Sequence, residues 1–312
     1  MNPVRLAILA CLSLVFLVAL PFGLVCAGRA LDPFTPQPES ALKPPFYVYS
    51  PSDYYTPSSN NSSSPANPTP SAKSTSGPIY YDYSSPSYYT WAGSDELGRF
   101  LSARLLLAGG LSLGAASMAL VLALALAMIL GGLSGWYHGQ WPDRVISWLI
   151  ALLHTVPFFL LVVVAAAIWR PGFFGAFVIV GLCAWAAPAR LARAEFIRLR
   201  NARHVLAARA FGFPAHTIML RQTLPVAFLP AFTAVLLLMP ELIGLDVGLG
   251  FFGLGAQPPT PTLGRLLYAG LSRLNAAPWL GFAPCLMVIL LSLAAFGLAA
   301  LWSRSIPVSS RA

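Results

Sequence analysis

Apolar residues in this chain collect in runs about as long as a bilayer crossing. Five follow one another after residue 100, at Leu105 to Leu130, Val145 to Ile168, Phe173 to Ala187, Leu224 to Ile243 and Trp279 to Trp302. A sixth stands in front, Leu6 to Ala27, behind the single charge of Arg5. In hydrocarbon a segment must satisfy its own backbone hydrogen bonds, and runs of about 20 residues do so as helices. Composition agrees, with 57% of 312 residues hydrophobic and 9% charged, where soluble domains carry about a quarter charged residues. A soluble globular domain is excluded, and so is a mainly disordered chain. The expected fold class is an all-α membrane protein with six transmembrane helices. The front run is longer than the roughly 7–15-residue core of a signal peptide, so residues 1–27 read as a transmembrane anchor, with cleavage near Ala27 as the alternative.

Residues 28–93 differ abruptly, holding 12 of the 28 prolines, 9 of the 11 tyrosines and a Ser/Asn-rich centre at Ser58 to Ser64. No helical or strand period runs through them, so an irregular linker is expected. Its pairs Tyr54-Tyr55, Tyr80-Tyr81 and Tyr88-Tyr89 either stack on a partner or membrane interface or are plainly solvated. The four cysteines, Cys11, Cys26, Cys183 and Cys285, show no CxxC and no His at ligand spacing. They are expected to act as small apolar side chains, forming neither a disulfide framework nor a metal site.

The net charge of +9 is concentrated. Between Pro188 and Thr223 seven arginines (190, 193, 198, 200, 203, 209 and 221) face Glu195 alone, giving +6, whereas the linker carries −1. Positive-inside places this loop and both termini in the cytoplasm and the linker outside, and makes orientation, not nucleic acid, the reading of the positive excess. Within the loop, Asn201 to Phe211 suits a short helix with a low-profile surface at Ala207, Ala208 and Ala210, flanked by Arg203 and Arg209. Gly212 suits a left-handed turn, Pro214 the start of a second helix running toward Thr223, and Leu224-Pro225 the reopening of the membrane span.

These residues resemble the "EAA, then G, then LP" loop of binding-protein-dependent ABC importer permeases: Ala207-Ala208, Gly212, Leu224-Pro225. The segment Leu249-Gly-Phe-Phe-Gly-Leu-Gly-Ala-Gln-Pro-Pro-Thr-Pro261 with Gly264 and Leu267 is similar to the stretch after the fifth span in C-type subunits of oligopeptide and dipeptide permeases. Gly93-Ser-Asp-Glu-Leu-Gly-Arg99 with Arg104 is similar to the element before their second span. The resemblance covers roughly Gly93 to Trp302. It implies a type I importer fold, with a permease core over residues 94–303, a coupling loop at 188–223 and a cytoplasmic tail at 304–312. It further implies a heterodimer with a second permease subunit, two cytosolic ABC ATPase subunits carrying ATP and Mg, and an extracytoplasmic substrate-binding protein, all in a bacterial inner membrane. The chain has no GxxxxGK[ST], so no catalysis or cofactor is expected on it. Arg203, Ala207, Ala208, Arg209, Gly212, Leu224 and Pro225 are the expected contact to the ATPase.

Three positions depart from the family pattern: Leu206 replaces the loop glutamate, Phe100 an Asp, and Gly110 an Arg. The implied function is import of peptides or peptide-like solutes. The alternatives are a sensor or scaffold that has lost transport, and an importer of nickel chelates or another small solute. An ion-coupled secondary transporter is disfavoured by the scarcity of acids in the spans. Two such acids stand near the outer end of the fifth span. Glu241 and Asp246 either meet a charged substrate terminus or outer gate, or, for Asp246, bond local backbone where the helix breaks before Gly248 and Gly250. His154 and Pro157 fall within the third span, His154 as a packed, hydrogen-bonded side chain. Arg170 reads as an interface anchor. Trp141, Trp148, Trp169, Trp185, Trp279 and Trp302 read as an aromatic belt, and Gly248 to Gly255 as a tightly packed re-entrant or extracytoplasmic turn.

Overall fold

A computed structural model describes residues 20–30, 42, 44–45, 47–48, 89–90, 92–169, 172–256 and 260–305. Most of the front run, most of the linker with the pairs Tyr54-Tyr55 and Tyr80-Tyr81 and with Tyr88, Cys11, Arg170, the Gln257-Pro258-Pro259 exit and the tail beyond 305 lie outside them. The helices are α1 (Leu20–Ala30), α2 (Leu101–Leu126), α3 (Gly132–Trp136), α4 (Trp141–Thr155), α5 (Phe158–Trp169), α6 (Phe173–Ala184), α7 (Ala186–Arg200), α8 (Arg203–Ala210), α9 (Ala215–Ile218), α10 (Leu224–Phe251), α11 (Leu263–Leu271) and α12 (Trp279–Ser305). Four continuous stretches are long and apolar enough to cross a bilayer: 101–136, 173–200, 215–250 and 279–304. The α4–α5 pair makes a fifth if counted as one broken span. The protein is thus an all-helical, multi-pass membrane protein.

Three expectations about the spans are corrected. The run Val145 to Ile168 is not one helix, because α4 and α5 meet at 88°. Pro157 forces the preceding Val156 into extended backbone (φ −93°, ψ 131°), which ends α4. The run Phe173 to Ala187 does not end its helix at the following Pro188, which is the third residue of α7, where a missing N–H interrupts no bond within that helix. Helix therefore runs on to Arg200 and takes Arg190, Arg193, Arg198 and Arg200 out of the loop. Likewise α9 does not form a separate lever, since a π-helical turn at Met219–Thr223 carries it directly into α10. Leu224-Pro225 sits within that continuous helix.

The linker also departs slightly from an irregular reading, because its ends pair antiparallel, Tyr47 with Thr90 and Val48 with Tyr89. The main core draws Leu113, Leu120, Phe177, Met239, Leu242 and Leu249 from α2, α6 and α10, with α5, α11 and α12 contributing as well. Without a hydrophobic drive between helices in lipid, small residues set the contacts. At Gly110 a β-carbon would lie 2.7 Å from the carbonyl oxygen of Pro21 and 2.8 Å from the amide of Val25. The position where the family carries arginine is thus where α1 rests on α2, and no side chain fits between them.

The tryptophans read as an aromatic belt differ in exposure. Trp141, Trp148 and Trp169 are exposed, but Trp185 and Trp302 are buried in helix contacts, Trp302 edge-on to Phe232 at 5.0 Å. Among the described residues Cys26, Cys183 and Cys285 are free thiols.

Candidate functional site

The arginine-rich end of the bundle is built around α8. Its Val205 and Ala208 are buried against Phe196 and Leu199 of α7, Ile218 of α9 and Trp136 of α3. Arg209 lies over the Trp136 ring at 5.2 Å and Arg200 donates to the Trp136 carbonyl at 3.1 Å. With Val205 and Ala208 turned inward, the opposite stripe of α8, Arg203, Leu206, Ala207 and Ala210, faces out at helical spacing. Ala208 is therefore not on the outward surface that the sequence suggested, and it serves to seat the helix. Leu206, where the family glutamate would stand, is 50% exposed, and just past the helix Phe211 is 81% exposed.

The turn after α8 follows a Schellman pattern, with Phe213 N–H donating to Ala208 O at 3.2 Å and Gly212 N–H to Arg209 O at 3.0 Å. Gly212 holds φ at +79°. Alanine there is expected to cost about 1–2 kcal/mol and proline more, since it loses the N–H as well. Melting of the detergent-purified protein would show it, with Gly212→Asn intermediate.

A second cluster ties α4 to α7 at this same end and was missed from sequence. Buried Asp143 accepts from Arg193 Nε at 2.7 Å and Nη2 at 3.0 Å, Ser134 Oγ at 2.6 Å, Gly139 N–H at 3.0 Å and Ser147 Oγ at 3.1 Å. His138 Nδ1 lies 2.8 Å away. The available signal was an acid at the mouth of an apolar run, which requires a partner. Arg193, counted with the coupling loop, is a strut.

At the other end, Asp95 organises the element before α2. It accepts from the Leu97 and Arg99 N–H groups, both at 2.9 Å, and from Arg99 Nε at 2.8 Å, and it pairs with Arg104. Beside it Glu96 pairs with Arg273 at 2.9 Å, so this element grips the stretch between α11 and α12.

Asp246 and Glu241 separate in character. Asp246 is fully buried and accepts from Ser112 Oγ of α2 at 2.6 Å and from Gly264 N–H of α11 at 3.3 Å. The Ser112 hydroxyl oxygen in turn receives Leu263 N–H at 3.3 Å. The helix does not break before Gly248 and Gly250, which lie inside α10, so Asp246 bonds distant elements and not its own turn. The left-handed turn comes later, at Gly253 with φ +68°. Glu241 is exposed on α10 and has no hydrogen bond or ion pair among the described residues. Pro240 precedes it inside the helix, freeing a carbonyl one turn back. His154 bonds its own helix, Nδ1 to Ile150 O at 2.8 Å. Among the described residues no His, Cys, Asp and Glu gather into a metal-binding group.

Comparison with known proteins agrees with this architecture. Residues 123–307 match the family described as "Binding-protein-dependent transport system inner membrane component". The chain is 34% identical over 207 residues to the peptidoglycan transport system permease protein YejE of Agrobacterium fabrum, covering 66% of this chain and 54% of that protein. It is 32% identical over 208 residues to the glutathione transport system permease protein GsiD of Pectobacterium atrosepticum, covering 65% and 67%. To the dipeptide transport system permease protein DppC of Alkalihalophilus pseudofirmus it is 30% identical over 203 residues, covering 65% and 66%. The match thus spans only about half of the first relative and about two thirds of the other two. With 59% of its length inside the family match and the short helix α8, its glycine turn and the Leu-Pro span in the family's order, this chain belongs to the binding-protein-dependent transport system inner membrane components.

Proposed function

We propose that the chain is a permease subunit of an ATP-driven importer for peptides or peptide-like solutes. It contributes half of a translocation path, with a second permease supplying the other half and an external binding protein delivering the solute. Two ATPase subunits, carrying ATP and Mg, dock on the α8 end, which the positive-inside rule puts in the cytoplasm together with both termini. The anchor over residues 1–27 is the sixth span of this arrangement. The observation that carries the reading is α8 itself, a two-turn helix locked to three span helices through Val205 and Ala208 while Leu206, Ala207 and Ala210 face out. A push on that face reaches α7, α3 and α10 together, as rigid-body switching of a packed unit requires. Glu241, an exposed acid on an apolar helix, is assigned to the path, where it meets a cationic substrate end.

Reconstitution with the partner subunits tests both assignments. Ala207→Trp is expected to insert and melt normally yet lower peptide uptake and peptide-stimulated ATP hydrolysis about tenfold or more, equivalent to about 1.4 kcal/mol of lost docking. Glu241→Gln should raise the half-saturating peptide concentration and leave basal ATP hydrolysis unchanged. Normal uptake by Ala207→Trp would remove the docking assignment. ATPase binding without uptake in the wild type would favour the sensor reading that Leu206 motivates.

A further inference from the structure

Between α4 and α7 lies a cavity of about 300 Å³ lined by Ser147, Ile150, Ala151, His154, Arg190 and Arg193. Two guanidinium groups, Arg190 and Arg193, line it. Arg190 is exposed and has no hydrogen bond or ion pair among the described residues. His154 commits its Nδ1–H to the Ile150 carbonyl, so the neutral ring offers only an acceptor at Nε2. Asp143 of α4 is consumed by Arg193 and the groups around it, and no acid pairs with Arg190 among the described residues. A second stripe of α4 runs alongside, Trp141, Val145, Trp148 and Leu152, spaced one helix turn apart and exposed, with Trp141 at 74% and Trp148 at 65%. The two faces adjoin at Trp148 and Ala151, three residues apart on one helix.

From this juxtaposition we propose that the α4–α7 cavity is a binding site for an anionic phospholipid, its phosphate held by Arg190 beside Arg193, and its acyl chains laid along the Trp141–Leu152 stripe. A cationic pocket alone would take any oxyanion. The apolar stripe with two indoles continuous with it selects an amphiphile, and indoles favour the headgroup level of a bilayer. The site lies at the α8 end, which the charge distribution assigns to the cytoplasmic leaflet, and basic pockets between spans on that side suit lipid phosphates. This inference stands whether or not the chain imports peptides.

The full chain, purified in detergent, is placed in phosphatidylcholine vesicles containing graded amounts of brominated phosphatidylglycerol or brominated phosphatidylcholine at fixed ionic strength. Quenching at Trp148 is read as the difference between wild type and Trp148→Phe. The anionic lipid is expected to quench at about fivefold lower fraction than the neutral one. Arg190→Lys should keep this preference, and Arg190→Gln should abolish it with an unchanged melting temperature. Equal quenching by both lipids, or a preference that survives Arg190→Gln, overturns the site. Displacement by millimolar trialanine but not by its C-terminal amide would replace the lipid with a solute carboxylate. Displacement by inorganic phosphate would make the site one for free anions. Protection of Trp148 from both lipids when the second permease is bound would assign the stripe to that subunit and overturn the lipid.

Discussion

Gly264→Ala is expected to lower the melting temperature of the purified protein by on the order of 10 °C and to cut the amount recovered from membranes. A β-carbon at Gly264 would stand 2.3 Å from the Asp246 carbonyl oxygen and 2.8 Å from its carbon, and a β-carbon at Gly250, one turn on, would stand 2.8 Å from the Gly264 carbonyl carbon. These neighbours are backbone, so no side chain can swing aside. Overpacking that rotamers can absorb costs about 1–3 kcal/mol, and here the helices must separate, which puts the cost at or above the upper end. Separation also draws Gly264 N–H and the Ser112–Leu263 pair away from the buried Asp246 carboxyl, so a polar group loses its partners in an apolar core. Gly244→Ala is the control. Nothing lies within 4 Å of its β-carbon position, and alanine gains up to about 1 kcal/mol in a helix interior, so its melting should hold or rise. Equal behaviour of the two variants would mean that α10 and α11 do not interlock as described.

Arg193→Ala is the second large effect, at about 3 kcal/mol. The carboxylate of Asp143 would keep its hydroxyl and amide donors but lose the two-pronged guanidinium contact, leaving a buried charge without its counterion. Because a buried pair is worth little against an apolar replacement of similar size, Arg193→Met combined with Asp143→Leu should recover most of the loss. The single variants and the double are compared by melting in the same detergent. A double variant as unstable as Arg193→Ala would show that Asp143 matters through Ser134, Ser147 and Gly139 alone.

Much of this architecture is legible in the residues. The apolar runs locate every described span, and Gly212 with Pro214 marks the turn after α8 because left-handed backbone and a helix start have few alternatives in residue type. What escaped is what depends on a distant partner. Ala207 and Ala208 are equivalent by composition, and only Phe196 and Ile218, packed beneath α8, decide which one turns inward. Ser112 and Asp246 are 134 residues apart, and no periodicity announces that they meet. Pro157 and Pro188 look alike as helix breakers. One breaks its span because the residue before it turns extended, and the other is harmless because it falls in a first turn.

The 88° bend between α4 and α5 bears on how the chain enters the membrane as it is made. At 1.5 Å per residue, the 15 residues of α4 and 12 of α5 reach about 22 and 18 Å, whereas the hydrocarbon layer is about 30 Å thick. Neither half can be released into lipid as a finished crossing. The pair must wait at the insertion machinery until α6 and α7 emerge, when Val162 and Ala166 can settle on Phe177 and Asp143 can find Arg193. A chain truncated after residue 169 and released from the ribosome should therefore leave the segment accessible to modifying reagents from the aqueous side, and a released chain extending past residue 200 should bury it.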